Sequence, residues 1–153
     1  MEPLFERFSL QNEVAVITGG GRGIGEGIAV DFARAGAKVV VAARRTNEIE
    51  AVAARIQELG GEAIAVTTDV TDGQAVEHLA NKTIEAFGKL TTWVNNAGGS
   101  PARMPLTQLP RDEWDRTIEL NLTAVYMGCM TAVAHMDKGS IINISSGAGF
   151  SPV

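Results

Sequence analysis

Thr18-Gly19-Gly20-Gly21-Arg22-Gly23-Ile24-Gly25 is the stretch from which the fold can be read. Before it stands Val14-Ala15-Val16-Ile17, a short apolar run rich in β-branched residues. After it, Ile24, Ile28 and Phe32 recur every four residues up to Gly36. The first pattern predicts a strand buried on both faces, and the second a helix closed by a C′ glycine. A strand that enters a helix through glycines leaves backbone N–H groups bare at the positive end of the helix dipole. A diphosphate needs such a surface. Glycine in a helix costs about 1 kcal/mol against alanine, so the cluster from Gly19 to Gly27 asks for a reason. The competing reading is a tight turn that binds nothing. The strict G-x-G-x-x-G spacing is absent. So is G-x-x-x-x-G-K-[ST], which excludes an ATPase-type phosphate loop.

The same alternation continues outward. Further strands are predicted at Val39–Ala42, Ala63–Val66, Leu90–Val94 and Ile141–Ile144. Ile49, Val52, Ala53, Ile56 and Leu59 predict a helix ending at Gly60-Gly61. Val76, Leu79, Ala80, Thr83, Ile84 and Phe87 predict another, ending at Gly88. Ile118, Leu122, Val125, Cys129, Val133 and Met136 are expected to line one face of a longer helix, with Pro110 in its first turn. No repeat or linker interrupts the series, so residues 1–153 read as one domain. Strand-helix alternation predicts an α/β fold, a doubly wound parallel sheet with helices on both faces. The irregular stretch from Gly98 to Leu109 reads as a loop at the strand C-termini, where such sheets bind ligands.

Composition narrows the function classes. The chain has 153 residues, 45% hydrophobic and 20% charged, enough to build a core and too apolar for a disordered tail. Its net charge of −5, without a long basic run, argues against nucleic-acid binding. The single cysteine, Cys129, excludes a disulfide framework or a cysteine zinc site. No apolar stretch reaches the roughly 18 residues of a membrane span. Met1 to Arg7 shows no signal-peptide pattern, so a cytoplasmic location is expected.

Five motifs in order give the chain a family likeness. They are Thr18-Gly19 to Gly23-Ile24-Gly25, Asp69-Val70 after the third strand, and Asn95-Asn96-Ala97-Gly98 after the fourth. Asn121 in the long helix and Ile144-Ser145-Ser146 after the fifth strand complete the set. Together they resemble the short-chain dehydrogenase/reductase family, in the subgroup of 3-oxoacyl reductases and hydroxysteroid dehydrogenases. The resemblance implies a Rossmann-type sheet that holds a nicotinamide dinucleotide. Gly19, Gly21, Arg22, Gly23, Ile24 and Gly25 would lie against the diphosphate side. The Asp69 carboxylate would accept from the adenine amino group and Val70 would pack on the ring. Asn96, Ala97 and Gly98 would run along the ribose. A plain helix cap at Asp69, before Thr71 and Asp72, is the alternative.

Cofactor choice is read at the end of the second strand. An acidic residue there binds the ribose 2′-OH of NAD, and basic residues accommodate the 2′-phosphate of NADP. Here Ala43 stands where NAD-preferring relatives carry Asp, and Arg44-Arg45 follow. Arg22 sits just before the second motif glycine. Arg22 and Arg44 could flank one phosphate with their planar forks, so NADP(H) is expected over NAD(H). The alternative for Arg44 and Arg45 is a solvated loop.

The resemblance also implies a catalytic Ser, Tyr and Lys with an Asn. Tyr would protonate the substrate oxygen, Lys would lower the Tyr pKa, and Ser would hydrogen-bond that oxygen. The Asn would hold a relay water. Ser146 and Asn121 match two of these roles. Their alternatives are a turn hydroxyl and a helix-interior Asn bonded to its own backbone. The expected activity interconverts a small-molecule carbonyl and a secondary alcohol by hydride transfer. Tyr-x-x-x-Lys is missing: Tyr126, the only tyrosine, is not followed by Lys, and Lys38, Lys82, Lys89 and Lys138 have no such spacing. The sequence therefore reads as the N-terminal part of a family member, a fragment cut after about the fifth strand and inactive alone. Such a cut leaves an open sheet edge and bare helix faces. A homo-oligomer is expected for the longer protein, because the long helix of relatives pairs across a dimer. Two rival readings are a non-catalytic dinucleotide-binding fragment and a half that works with a separate partner chain. His78 and His135 are expected on the surface. Arg103, in Gly99 to Met104, could meet an anionic substrate group or be a solvated loop charge.

Overall fold

The computed structural model describes residues 8–99 and 104–147. Five strands are linked by helices: β1 (Val14–Thr18), α1 (Gly23–Arg34), β2 (Lys38–Ala43), α2 (Thr46–Glu58), β3 (Glu62–Thr67), α3 (Gly73–Phe87) and β4 (Thr92–Asn95). A short 3₁₀ turn at Leu106–Gln108 leads to α4 (Arg111–Ile118), a π-helical stretch (Glu119–Thr123), α5 (Ala124–His135) and β5 (Ser140–Asn143). All neighbouring strands are parallel, in the order β3-β2-β1-β4-β5. This is the doubly wound parallel sheet predicted from the alternation, in the Rossmann-type form that the family resemblance implies.

Strand side chains alternate between two cores. Ala15, Ile17, Val39, Val41 and Ala63 pack with Ile49, Val52 and Ile56 of α2 and Ala29 and Val30 of α1. Val16, Val40, Ala42, Val66 and Trp93 face the other way, against Val76, Leu79 and Ala80 of α3 and Ala132 of α5. Runs such as Val39–Ala42 lack polar alternation because both faces are covered. Strand bounds depart slightly from the apolar runs. β4 starts after Leu90 and takes in Asn95, because the buried Asn95 amide finds partners there. Its Oδ1 accepts from Trp93 Nε1 at 2.8 Å, and its Nδ2 donates to Asn143 Oδ1 at 2.9 Å.

The long helix differs most from expectation. Its buried face is Ala124, Gly128 and Ala132, not the predicted stripe. Leu122 and Val133 of that stripe are 62% and 66% exposed. The indole of Trp93 and the amide of Asn95 fill the space above β4, so only small side chains can approach. A Cβ on Gly128 would run into Asn95 Oδ1 and lie 2.8 Å from Trp93 Nε1. Leu122, Tyr126, Met130 and Val133 are left as an exposed apolar stripe, and Ile142 and Ile144 are also exposed at the β5 edge.

Gly128→Ala is therefore expected to destabilise by about 1–3 kcal/mol through overpacking, although alanine is the better helix former. Gly27→Ala, where an added Cβ meets nothing within 4 Å, is expected to stabilise by about 0.5–1 kcal/mol. Urea unfolding of both variants checks the pair; a more stable Gly128→Ala protein would show that the Trp93–Asn95 packing is loose.

Candidate functional site

β1 lies between β2 and β4, so connections from it leave in both directions. A crevice opens at the carboxyl ends of the strands at such a point. The Thr18 side chain, 2% exposed, builds its floor. Its hydroxyl donates to Val94 O at 3.0 Å and accepts from the backbone N–H groups of Asn96 (3.0 Å) and Ala97 (3.1 Å). The Asn96 amide answers from the other side, donating to Thr18 O at 2.9 Å and Gly19 O at 3.2 Å. The turn after β1 and the turn after β4 are thereby one unit.

Glycine is required at two points of that unit. Gly19 has φ +64°, and a Cβ there would stand 2.9 Å from Ala97 Cα. A Cβ on Gly25 would run into the Gly19 carbonyl and stand 2.6 Å from Asn96 Nδ2. The N-cap of α1, Arg22, makes no side-chain cap hydrogen bond. α3 is different: Asp72 caps it by accepting from Gln74 N at 2.9 Å. The first turn of α1 is thus an uncapped helix N-terminus beside a glycine cradle, the form that suits a diphosphate.

A cavity of about 330 Å³ lies over this turn. Gly19, Gly21, Arg22, Ile24 and Gly25 line it from the first turn, and Arg44 from the end of β2. Asp69 and Val70 come from the β3–α3 loop, and Asn96, Ala97 and Gly98 from the segment after β4. Gly23 stays within the turn, at φ +59°, and is not part of the lining. Ala43, Arg45, Glu48, Thr68 and Leu120 also line the cavity. Of these, the sequence marked only Ala43 and Arg45, in the stretch where cofactor choice is read, and gave no role to Glu48, Thr68 or Leu120. Ala43, Thr68 and Leu120 adjoin predicted positions, whereas Glu48 sits in the first turn of α2 with no motif to mark it.

Asp69 does not cap α3. Its Oδ1 accepts from Thr71 N at 3.0 Å and from the Thr71 hydroxyl at 2.7 Å, closing a turn ahead of the helix. Burial pushes its pKa up, but the two Thr71 hydrogen bonds and the nearby Arg44 charge outweigh that and hold it below the ordinary value. Arg45 is paired with Glu48 (Nη1 to Oε1, 2.9 Å). Arg22 and Arg44 form no ion pair among the described residues.

Asn121 and Ser146 do not line the cavity. Asn121 lies in the π-helical stretch. Its Oδ1 accepts from Gly99 N at 2.9 Å, and its Nδ2 donates to Gly99 O at 2.8 Å and Thr117 O at 2.9 Å. It therefore bonds its own helix, as the alternative reading expected, and ties that helix to the loop after β4 as well. Ser146 is exposed, just beyond β5. Arg103 lies outside the described residues. His78 is exposed as expected. His135 is half-buried instead, its Nε2 2.6 Å from Glu77 Oε1, which links α5 to α3.

The strand order, glycine cradle and flanking turns define an α/β domain of the Rossmann type. The sequence profile of short chain dehydrogenases matches residues 13–153. The chain belongs to the short-chain dehydrogenase family. It is 39% identical over 150 residues to an uncharacterised oxidoreductase of Mycobacterium tuberculosis, spanning 95% of this chain and 57% of that protein. It is 40% identical over 146 residues to a short chain dehydrogenase/reductase of Aspergillus oryzae, spanning 92% of this chain and 56% of that one. Among solved structures, a 7α-hydroxysteroid dehydrogenase complexed with NADH and 7-oxoglycochenodeoxycholic acid superposes with a TM-score of 0.92 at 36% identity. That match covers 97% of this chain and 58% of the dehydrogenase. A metagenomic short-chain oxidoreductase in complex with NADP gives 0.87 at 39% identity, covering 94% of this chain and 66% of that one. The chain thus spans 56% to 66% of the length of these relatives.

Because the folded-state pKa of Asp69 is depressed, its contribution to stability is present above the ordinary value of 3.8. That contribution is lost as pH falls through the lower folded value. Asp69→Asn is expected to be less stable than the parent at neutral pH, with the gap closing in acid. Urea unfolding at stepped pH values reads this; a gap that widens in acid would overturn the assignment.

Proposed function

We propose that the chain is the cofactor-binding part of an NADP(H)-dependent oxidoreductase that interconverts a carbonyl and a secondary alcohol. The observation that carries the reading is the charge that lines the cavity. Ala43 offers no carboxylate at the end of β2, while the guanidinium groups of Arg22 and Arg44 line the cavity without ion-pair partners among the described residues. The charged residues of the lining leave one net positive charge, and a ribose 2′-phosphate has the charge and the acceptors to meet it. The glycine cradle fits the diphosphate, because added side chains at Gly19 and Gly25 would close the approach. The bound nicotinamide supplies or accepts the hydride.

The chain's own residues hold and polarise. The first-turn N–H groups of α1 receive the diphosphate. Asp69, kept ionised, accepts from the adenine amino group, and Val70 packs on the ring. Asn96, Ala97 and Gly98 run beside the ribose on the floor that Thr18 fixes. The Ser146 hydroxyl donates to the substrate oxygen. Asn121 serves the proton relay by holding the widened helix turn and Gly99 in place. No Tyr-x-x-x-Lys occurs within these 153 residues, so turnover belongs to a protein as long as the relatives. In this reading that protein is cytoplasmic and oligomeric, with the apolar stripe from Leu122 to Val133 covered by a second copy. A neighbour carrying NADP supports the cofactor assignment, and a neighbour carrying NADH keeps the alternative in the test.

Arg44→Ala is expected to raise the NADPH dissociation constant about tenfold or more, from a charged hydrogen bond worth about 1.5–3 kcal/mol. NADH binding should change far less. Fluorescence titration with both cofactors reads the difference; tighter binding of NADH than NADPH by the parent protein ends the NADP(H) reading. Ser146→Ala in the protein of family length is expected to lower kcat by about 10²–10³, with cofactor affinity intact.

A further inference from the structure

Glu48 is the one cavity-lining carboxylate that the proposed cofactor contacts leave without a role. It stands in the first turn of α2, a helix whose N-cap, Arg45, makes no side-chain cap hydrogen bond. Its side chain is only 27% exposed. A Cβ built on Gly21 would lie 3.0 Å from Glu48 Cβ and 3.3 Å from its Oε2. Glu48 therefore leans on the glycine turn and lines the same cavity as Arg22, Arg44 and Arg45. Its other oxygen, Oε1, is held by Arg45 Nη1 at 2.9 Å.

We propose that Glu48 is a specificity-setting residue: a negative charge at the 2′ position whose strength is set by its pairing with Arg45. The proposal rests on the reading of this cavity as a nicotinamide dinucleotide site. The charges explain the device. Three guanidinium groups and the carboxylates of Glu48 and Asp69 line the cavity, leaving one net positive charge. A 2′-phosphate brings a charge of about −1.5 to −2, which a free Glu48 carboxylate repels. A 2′-hydroxyl suffers no such repulsion and can donate to the same carboxylate. Arg45 masks Glu48, so the phosphate is tolerated and the hydroxyl is still accepted. The wall thus discriminates by balance, without the end-of-strand acidic residue that excludes the phosphate outright.

Two small ligands read this without turnover. Adenosine 2′,5′-bisphosphate carries the 2′-phosphate and adenosine 5′-monophosphate lacks it. Calorimetric titration of the purified protein should show Glu48→Gln binding the bisphosphate about tenfold tighter than the parent, a change of about 1.4 kcal/mol. Its affinity for the monophosphate should be equal or weaker, and the gain should shrink with added salt. Arg45→Met should weaken the bisphosphate in the parent background and much less in the Glu48→Gln background, because the interaction is coupled. Equal loss in both backgrounds would show that Arg45 contacts the phosphate itself, and would overturn the proposal. So would a Glu48→Gln protein that binds both ligands as the parent does. The parent's own preference between the two ligands is a separate number. A parent that favours the monophosphate removes the NADP(H) reading and leaves the Glu48 comparison standing.

Discussion

The Thr18 hydroxyl is where the fold becomes a site. Three hydrogen bonds meet on one buried oxygen: one given to Val94 O, and two received from the N–H groups of Asn96 and Ala97. A buried hydroxyl satisfied so fully tolerates no other geometry, since each lost partner leaves a desolvated polar group. Asn96 doubles the link by binding Thr18 O and Gly19 O. Two loops at the ends of neighbouring strands are thereby set at fixed spacing. The glycine turn can then be nearly bare of side chains and still be rigid. Glycine lets the turn adopt its conformation, and the hydrogen bonds to the segment after β4 hold it there.

A second constraint works from behind. Trp93 is wholly buried and occupies the space between β4 and α5 in which a smaller residue would leave a void. The indole N–H needs an acceptor, and Asn95 Oδ1 provides it. Asn95 then reaches Asn143 across to β5. One large side chain thus recruits a polar network that stitches β4 to the edge strand. The same pair dictates glycine at position 128. Small residues on α5 are the consequence of a large one on the sheet, and the apolar side chains of the helix are displaced to its outer face.

Most of the fold was legible in the sequence because two-sided burial leaves an unmistakable trace. Val14–Ile17 and Val39–Ala42 have no polar alternation to confuse them, and Gly36, Gly60 and Gly88 end the helices at positive φ. The cavity-lining residues were legible for a different reason. Gly19, Gly25, Asp69 and Asn96 each answer a local geometric demand that few residue types meet. What stayed hidden depends on distance through space. Nothing in the sequence around Glu48 says that its carboxylate leans on Gly21. Nothing in the spacing of Ile118, Leu122 and Val125 reveals that the helix face opposite Trp93 must be small. Asp69 was ambiguous between cap and site because an Asx turn and a helix cap use the same side-chain chemistry. The helix begins only at Gly73, with Asp72 as its cap.

The π-helical stretch reconciles two demands on one helix. α5 is fixed in rotation by Gly128 against Trp93 and Asn95. Asn121 must at the same time reach Gly99, on the loop that the Thr18 clamp positions. An uninterrupted α-helix ties the two rotations together at about 100° per residue. The wider turn from Glu119 to Thr123 adds a residue and uncouples them. The predicted stripe misses the buried face within α5 itself: Val125, Cys129 and Val133 each follow by one residue the buried Ala124, Gly128 and Ala132. The Nδ2 of Asn121 donates to Thr117 O at 2.9 Å, so the side chain that reaches the loop also satisfies a carbonyl of α4 just before the wider turn. Asn121 thus joins α4 to the loop after β4 across the wider turn. A residue with only one polar end could do one of these jobs and would leave the other unmet.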